Sequence, residues 1–275
     1  MPVIQPFALR RHFLADGIRL RSAPPRLDRL VTVCSLPLVF ALSSAAQAQD
    51  QNHVVLGIGA AIAPAYQGAK SMRLLPIPSI DIKQGWFVAN FRNGIGIAPI
   101  NTDMFTVGAS AVFVQGYRKK DVPQGIDRLS DGLGARVFLN VRARGLTTTI
   151  GLVKVVSGGT KGMFADASLS YPIRATSRMT LIPTLGTTWA DRTYNDRYFG
   201  VTPAESLASG RAQFTGKAGF KDVTGLLTAS YRLADRLTLS ATGGVTALVG
   251  NVKNSPLVET KVRPSGIVAL SYRFR

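Results

Sequence analysis

The stretch Gly266-Ile-Val-Ala-Leu-Ser-Tyr-Arg-Phe-Arg275 alternates with a period of two. Val268, Leu270, Tyr272 and Phe274 fall on one side of an extended chain, and Ala269, Ser271 and Arg273 on the other. That period is the one a β-strand imposes. An apolar face, two aromatics near the end and an arginine on the opposite face suit a strand of a β-barrel in a lipid bilayer, where the apolar face meets lipid instead of a protein core.

The same pattern recurs upstream. In residues 133–143, Leu133, Ala135, Val137, Leu139 and Val141 oppose Gly134, Arg136, Asn140 and Arg142, with Phe138 out of step. In 236–247, Leu237, Leu239, Ala241, Val245 and Ala247 oppose Arg236, Thr238, Ser240, Thr242 and Thr246. In 225–233, Leu227, Ala229, Tyr231 and Leu233 oppose Thr228, Ser230 and Arg232. Further strands are expected at 52–62, 73–83, 86–98, 104–117, 145–156, 162–173 and 177–190. Many reach the roughly 9–11 residues that a tilted membrane strand requires, longer than the roughly 5–6 of an ordinary soluble strand.

These segments number eleven, whereas bacterial barrels have even strand counts. The pattern is weakest over 63–103, where Pro64, Pro76, Pro78 and Pro99 each remove a ladder donor. A turn at Asn93-Gly94 splits 86–98 and gives twelve strands; losing one segment gives ten. The reading is therefore an all-β chain forming a single transmembrane antiparallel β-barrel of twelve strands, with ten as the alternative. Connections alternate in length: Ala143-Arg-Gly145, Arg174 to Ser177 and Ala234-Asp235 are tight, while 118–131, 191–214 and 249–264 are long. Outer-membrane barrels have short periplasmic turns and long outer loops, which assigns the end of the last strand to the periplasmic side. No helical period is evident beyond the leader.

Residues 1–48 read as an N-terminal extension and cleaved signal peptide, leaving 49–275 for the barrel. An apolar run from Leu30 to Leu42 precedes small residues and Ala46-Gln47-Ala48. Arg10-Arg11-His12-Phe13-Leu14 resembles a twin-arginine signal, but the apolar run starts far downstream. Cys34, the single cysteine, lies in that run, so disulfides and thiolate metal sites are not expected in the remainder. The whole chain carries 33 Lys and Arg against 15 Asp and Glu; without the six arginines and two aspartates of 1–48 the balance is +14. The basic residues are spread along the strands with no nucleic-acid motif, so the expected partners are anionic headgroups of outer-membrane lipid and lipopolysaccharide or lumenal anions, not nucleic acid.

Arg136, Arg142, Arg232 and Arg273 take inward positions and are the candidate lumen residues. A ring of lumenal charge tunes ion selectivity. The competing reading pairs them with lumenal carboxylates such as Asp166 or Asp222 and plugs the barrel. His53, the one histidine after the leader, lacks a partnered base and orienting carboxylate in sequence. Gly57-Ile-Gly59 and Gly94-Ile-Gly96 lack the strand–loop–helix setting of a phosphate cradle. No catalytic, metal or cofactor-binding set is identified. Around the loop 191–214, Trp189, Tyr194, Tyr198 and Phe199 bracket Asp191, Arg192, Asp196 and Arg197. They are read as interfacial girdle aromatics, with a recognition loop or fold-in plug as the alternative.

Tyr198-Phe-Gly-Val-Thr-Pro-Ala-Glu-Ser-Leu-Ala-Ser-Gly210 resembles a signature of the MltA-interacting protein family (MipA/OmpV), with Tyr198, Phe199, Gly200, Val201 and Glu205 as its motif positions. Gly57-Ile-Gly-Ala-Ala61 with Pro64-Ala-Tyr-Gln-Gly68, Leu75-Pro-Ile-Pro78 with Asp81 and Trp86-Phe87, Asn254-Ser-Pro-Leu-Val258, and Tyr272-Arg-Phe274 resemble further family blocks in the same order. Ala69 departs from a frequent serine, and Arg275 follows the usual terminal phenylalanine. The resemblance covers about 52–275 and implies an outer-membrane protein, some members of the family acting as scaffolds that link a lytic transglycosylase to a peptidoglycan synthase and others as adhesins or permeability factors. The chain is accordingly expected to be a non-enzymatic, monomeric scaffold, the alternatives being a small channel for anionic solutes, which the inward arginines would suit, or an adhesin or permeability factor.

Overall fold

The computed structural model describes residues 52–274; the leader expected over 1–48, and Arg275, lie outside the described residues. The strands are β1 (His53–Pro64), β2 (Met72–Gln84), β3 (Phe87–Asn90), β4 (Gly94–Asn101), β5 (Phe105–Val114), β6 (Gly132–Ala143), β7 (Leu146–Val155), β8 (Met163–Ser170), β9 (Ile173–Arg174), β10 (Met179–Ala190), β11 (Gly219–Ala234), β12 (Leu237–Leu248) and β13 (Val262–Arg273). Each pairs antiparallel with its neighbours, and β13 returns to β1 with Leu270 opposite Ile58 and Val268 opposite Ala60, closing the sheet.

β8 and β9 are two parts of one stave. Ser170 faces Thr184 and Ile173 faces Leu181 on the same edge of β10. The break falls at Tyr171-Pro172, where proline withholds a ladder donor. The barrel therefore has twelve strands. The twelfth arises where the sequence placed it: Phe91-Arg92-Asn93 turns the chain between β3 and β4, with Asn90 opposite Gly94.

Burial follows the period of two, inverted relative to a soluble protein. Along β13, Arg263, Ser265, Ile267 and Ala269 are buried, while Val262, Val268 and Leu270 are exposed. Ile58 is 76% exposed, Leu74 75%, Leu185 65% and Ile95 64%. Leaving such side chains in water forfeits ~1.5–3 kcal/mol each, so the outer face requires lipid. The inner wall carries hydroxyls instead, with Thr228 to Thr242 at 2.8 Å, Thr224 to Thr246 at 3.0 Å and Ser170 to Thr184 at 3.0 Å.

The periplasmic turns, 85–86, 102–104, 144–145, 175–178 and 235–236, are two to four residues long. The opposite end carries the longer loops 65–71, 115–131, 156–162, 191–218 and 249–261. Two short helices occupy the fourth of these, α1 (Arg192–Phe199) and α2 (Pro203–Ser209), where sequence periodicity suggested only loop. Eight and seven residues are too few to display a period. Their caps are legible instead: Asp191 accepts the Tyr194 N–H at 2.7 Å, and Thr202 with Glu205 forms a capping box behind Pro203.

Candidate functional site

Three places concentrate chemistry: the mid-lumen, the outer cap and the periplasmic rim. In the mid-lumen Arg136 projects from β6 and meets Asp166 of β8 in a bidentate pair, at 2.5 and 3.0 Å. The two side chains are only 4% and 6% exposed. The planar fork of guanidinium against carboxylate favours this geometry. It fits because β7 offers Gly151 opposite Phe138 and Asp166; a Cβ there would collide with the guanidinium. The turn between β3 and β4 bends inward beside the pair. Arg92 donates to Ser168 Oγ across the bore, and Phe91 packs on the cluster of Ala61, Ile77, Leu226, Ile267 and Ala269. Phe138, the side chain out of step in β6, points inward and is buried with Val88 and Ala98.

At the outer end the loops pack into a second core. Tyr194, Tyr198 and Phe199 are almost fully buried among Ala65, Tyr66, Tyr117, Ile126, Val153, Val252 and Leu257. They are not girdle residues; the helical turn of α1 carries them inward, so the loop caps the barrel. Trp189, half-buried opposite the exposed Phe220, keeps the interfacial position. Tyr66 donates to the Leu257 carbonyl at 2.9 Å, and the Gln67 N–H donates to the Tyr198 hydroxyl at 3.2 Å. Burial pushes the Tyr198 hydroxyl up to about 12, and raises Tyr66, Tyr117 and Tyr194 further for the same reason. Lys221, 1% exposed, is held by Asp222 at 2.5 Å and by the Gln67 amide oxygen at 2.9 Å.

The family motif serves this cap. A Cβ on Gly200 would strike the Asp196 carbonyl, so only glycine lets the chain leave α1 there. Val201 bridges Phe214, with N–H to carbonyl distances of 2.9 and 3.1 Å. Glu205 has two tasks: one carboxylate oxygen accepts the Thr202 N–H at 2.9 Å, and the other accepts the Asp127 N–H of loop 115–131 at 3.1 Å.

The periplasmic rim collects the other candidate arginines. Arg142 reaches Thr106 at 3.2 Å. Arg232 donates its N–H to the Arg178 carbonyl, and Arg273 to the Arg236 carbonyl, each at 2.8 Å, so arginines from neighbouring turns stand side by side. With Lys83, Arg144 and Arg174 they make eight cations near this rim, against Asp81, Asp103 and Asp235. Arg144 stands at a turn tip with φ 50°, a conformation that favours Asn or Gly. His53 opens β1 with Nε2 at 3.2 Å from Asp81 Oδ1. The structure thus separates the four candidate arginines: Arg136 is in the mid-lumen, and Arg142, Arg232 and Arg273 are at the rim. Sequence reading missed Arg92, Lys221 and Arg263. The alternation of β13 could have placed Arg263 inside, whereas nothing local to Phe91-Arg92-Asn93 signals that the turn bends inward. Among the described residues no group of three or more His, Cys, Asp or Glu could hold a metal ion.

YiaT of Escherichia coli (strain K12), provisionally described as an outer membrane protein, is 28% identical over 119 residues, 43% of this chain and 48% of YiaT. The alignment therefore spans about half the length of that relative. Among solved structures, the COG4313 outer membrane channel from Pseudomonas putida F1 is 11% identical with a TM-score of 0.47, covering 86% of this chain and 100% of that one. The KdgM porin is 7% identical with a TM-score of 0.42, covering 81% and 100%. The barrel resides in the outer membrane. The family model described as MltA-interacting protein MipA matches residues 56–274, and the chain belongs to that family.

Proposed function

We propose that this barrel is a non-enzymatic, monomeric outer-membrane scaffold that docks a lytic transglycosylase, and through it a peptidoglycan synthase, on its periplasmic rim. The observation that carries the reading is the arginine-rich rim, with Arg144 kept in a backbone conformation that another residue would adopt more cheaply. A strained side chain at a turn tip suggests that its charge is wanted there. Such a rim suits a partner with an acidic face, since complementary charge steers encounter and fixes register. The family description points to a transglycosylase of the MltA kind. Against the rival anion channel stand the inward turn carrying Arg92, which reaches Ser168 of β8, and the tyrosine-rich cap at the outer end; the Arg136–Asp166 pair, lying against the wall over Gly151 of β7, offsets the lumenal charge an anion would seek.

The test is binding of the barrel, in nanodiscs, to a purified MltA-type transglycosylase. Charge reversal at Arg144, Arg178 and Arg236 should weaken binding by about tenfold or more and flatten its salt dependence. Undiminished binding by the triple variant refutes the rim as the docking face. Reproducible anion-selective conductance steps in planar bilayers, abolished by Arg136→Ala, would favour the channel.

A further inference from the structure

The barrel wall is incomplete in one sector. β2 pairs with β1 from Met72 to Lys83 but with β3 only from Asp81 to Gln84. β3 has four residues, and the chain turns inward at Phe91, well short of the outer end that β2 and β5 reach. The edge of β2 from Met72 to Ile80 therefore faces no strand among the described residues.

The parity of the ladder identifies what lies on that edge. The Ala65 N–H donates to the Ser71 carbonyl at 2.9 Å, so the pairs Ala63–Arg73, Ala61–Leu75 and Gly59–Ile77 exchange hydrogen bonds in turn. Odd-numbered residues of β2 thus direct their backbone groups to β1. Leu74, Pro76, Pro78 and Ile80 direct theirs to the open side. The tight Gly85-Trp86 turn, closed by the pair Gln84–Phe87, gives the same parity. Unpaired N–H groups at membrane depth cost several kcal/mol each, and Pro76 and Pro78 have none to leave unpaired. The same prolines deny this edge to a strand from another chain.

The sector opens on an apolar patch in a lumen otherwise rich in hydroxyls: Ile77, Leu226 and Ile267 are buried there, with Leu75 and Phe91 packed against them. Beside Phe91, the half-buried Arg92 donates to Ser168, its Nε has no partner among the described residues, and the nearby Asp166 is already engaged by both guanidinium hydrogen bonds of Arg136. Above, loop 115–131 roofs the sector through the Asp121–Arg73 ion pair. From this geometry we infer a lateral opening between β2 and β5 that admits a long-chain fatty acid from the outer leaflet. Its chain lies on the apolar patch, its carboxylate turns toward Arg92, and the Phe91 turn is the movable stopper.

The test titrates cis-parinaric acid, a fluorescent long-chain fatty acid, onto the barrel in phosphatidylcholine nanodiscs. Saturable binding displaced by oleic acid is expected. Ile77→Asp should weaken it by about tenfold or more, equivalent to 1.4 kcal/mol per tenfold. Arg92→Gln should weaken binding of the acid and leave that of its methyl ester unchanged. Unsaturable partition, equal in all variants, overturns the proposal. Should Ile77→Asp fail to fold, a Phe91→Trp variant with Trp86 and Trp189 replaced by Phe decides the matter: lipid brominated on its acyl chains should quench the indole, and an unquenched indole refutes the opening.

Discussion

Asp166→Ala is expected to destabilise the barrel by ~3–5 kcal/mol, the cost of stranding one partner of a buried ion pair. The geometry supports the upper half of that range. Arg136 makes both of its guanidinium hydrogen bonds to this one carboxylate, at 2.5 and 3.0 Å, and its Nε has no partner among the described residues. Arg92 lies close enough to share the same negative charge. Removing that carboxylate therefore leaves the buried Arg136 and the half-buried Arg92 close together without their shared countercharge. Replacing both members, Arg136→Leu with Asp166→Leu, should cost far less, because apolar substitutes for a buried pair are often neutral; a residue of about 1 kcal/mol remains for Arg92, whose nearby countercharge is gone. Reversible urea unfolding in lipid vesicles, followed by tryptophan fluorescence, measures each corner of this double-mutant cycle. A loss below about 1 kcal/mol for Asp166→Ala, or a double variant as unstable as the single, refutes the reasoning, since either outcome means that lumenal water already screens the pair.

Glu205→Ala removes the capping box of α2 and the tether to Asp127, so it should cost about 1 kcal/mol and speed proteolysis or amide exchange within 191–218 while the barrel keeps its heat-modifiable migration. Tyr198 should ionise near 12 instead of its usual 10, and the other cap tyrosines later still. Because the unfolded chain loses that proton first, the neutral cap contributes its full stability below pH 10 and loses it as pH climbs from 10 toward 12; ultraviolet titration of tyrosinate should show a late class that merges with the ordinary one in urea. Arg144→Asn relieves a left-handed conformation and should stabilise the barrel by up to ~1 kcal/mol while weakening transglycosylase binding; tighter binding by this variant would contradict the docking reading.

Alternation in β6, β11, β12 and β13 was legible because a tilted membrane strand sees lipid on one face and a polar lumen on the other, so each residue's side is fixed by parity alone. The split of 86–98 at Asn93-Gly94 was legible as turn chemistry. The aromatics Tyr194, Tyr198 and Phe199 were not: near a strand end, girdle and cap residues have the same composition, and only the inward turn of α1 separates them. The candidate arginines divide in the same way. Parity put Arg136, Arg142, Arg232 and Arg273 inside, but distance along the strand decided which reached Asp166 and which stood at the rim.

By itself, then, the sequence determined the barrel, its strand parity and the alternation of short turns with long loops, because period-two patterning and turn residues are local properties. Tertiary structure decided what fills and breaches that barrel. The inward turn at Phe91, the pairing of Arg136 with Asp166, the roof over the lumen and the unpaired edge at Pro76 and Pro78 each join residues far apart in the chain. Their energies depend on who the neighbour is, and no local pattern records that.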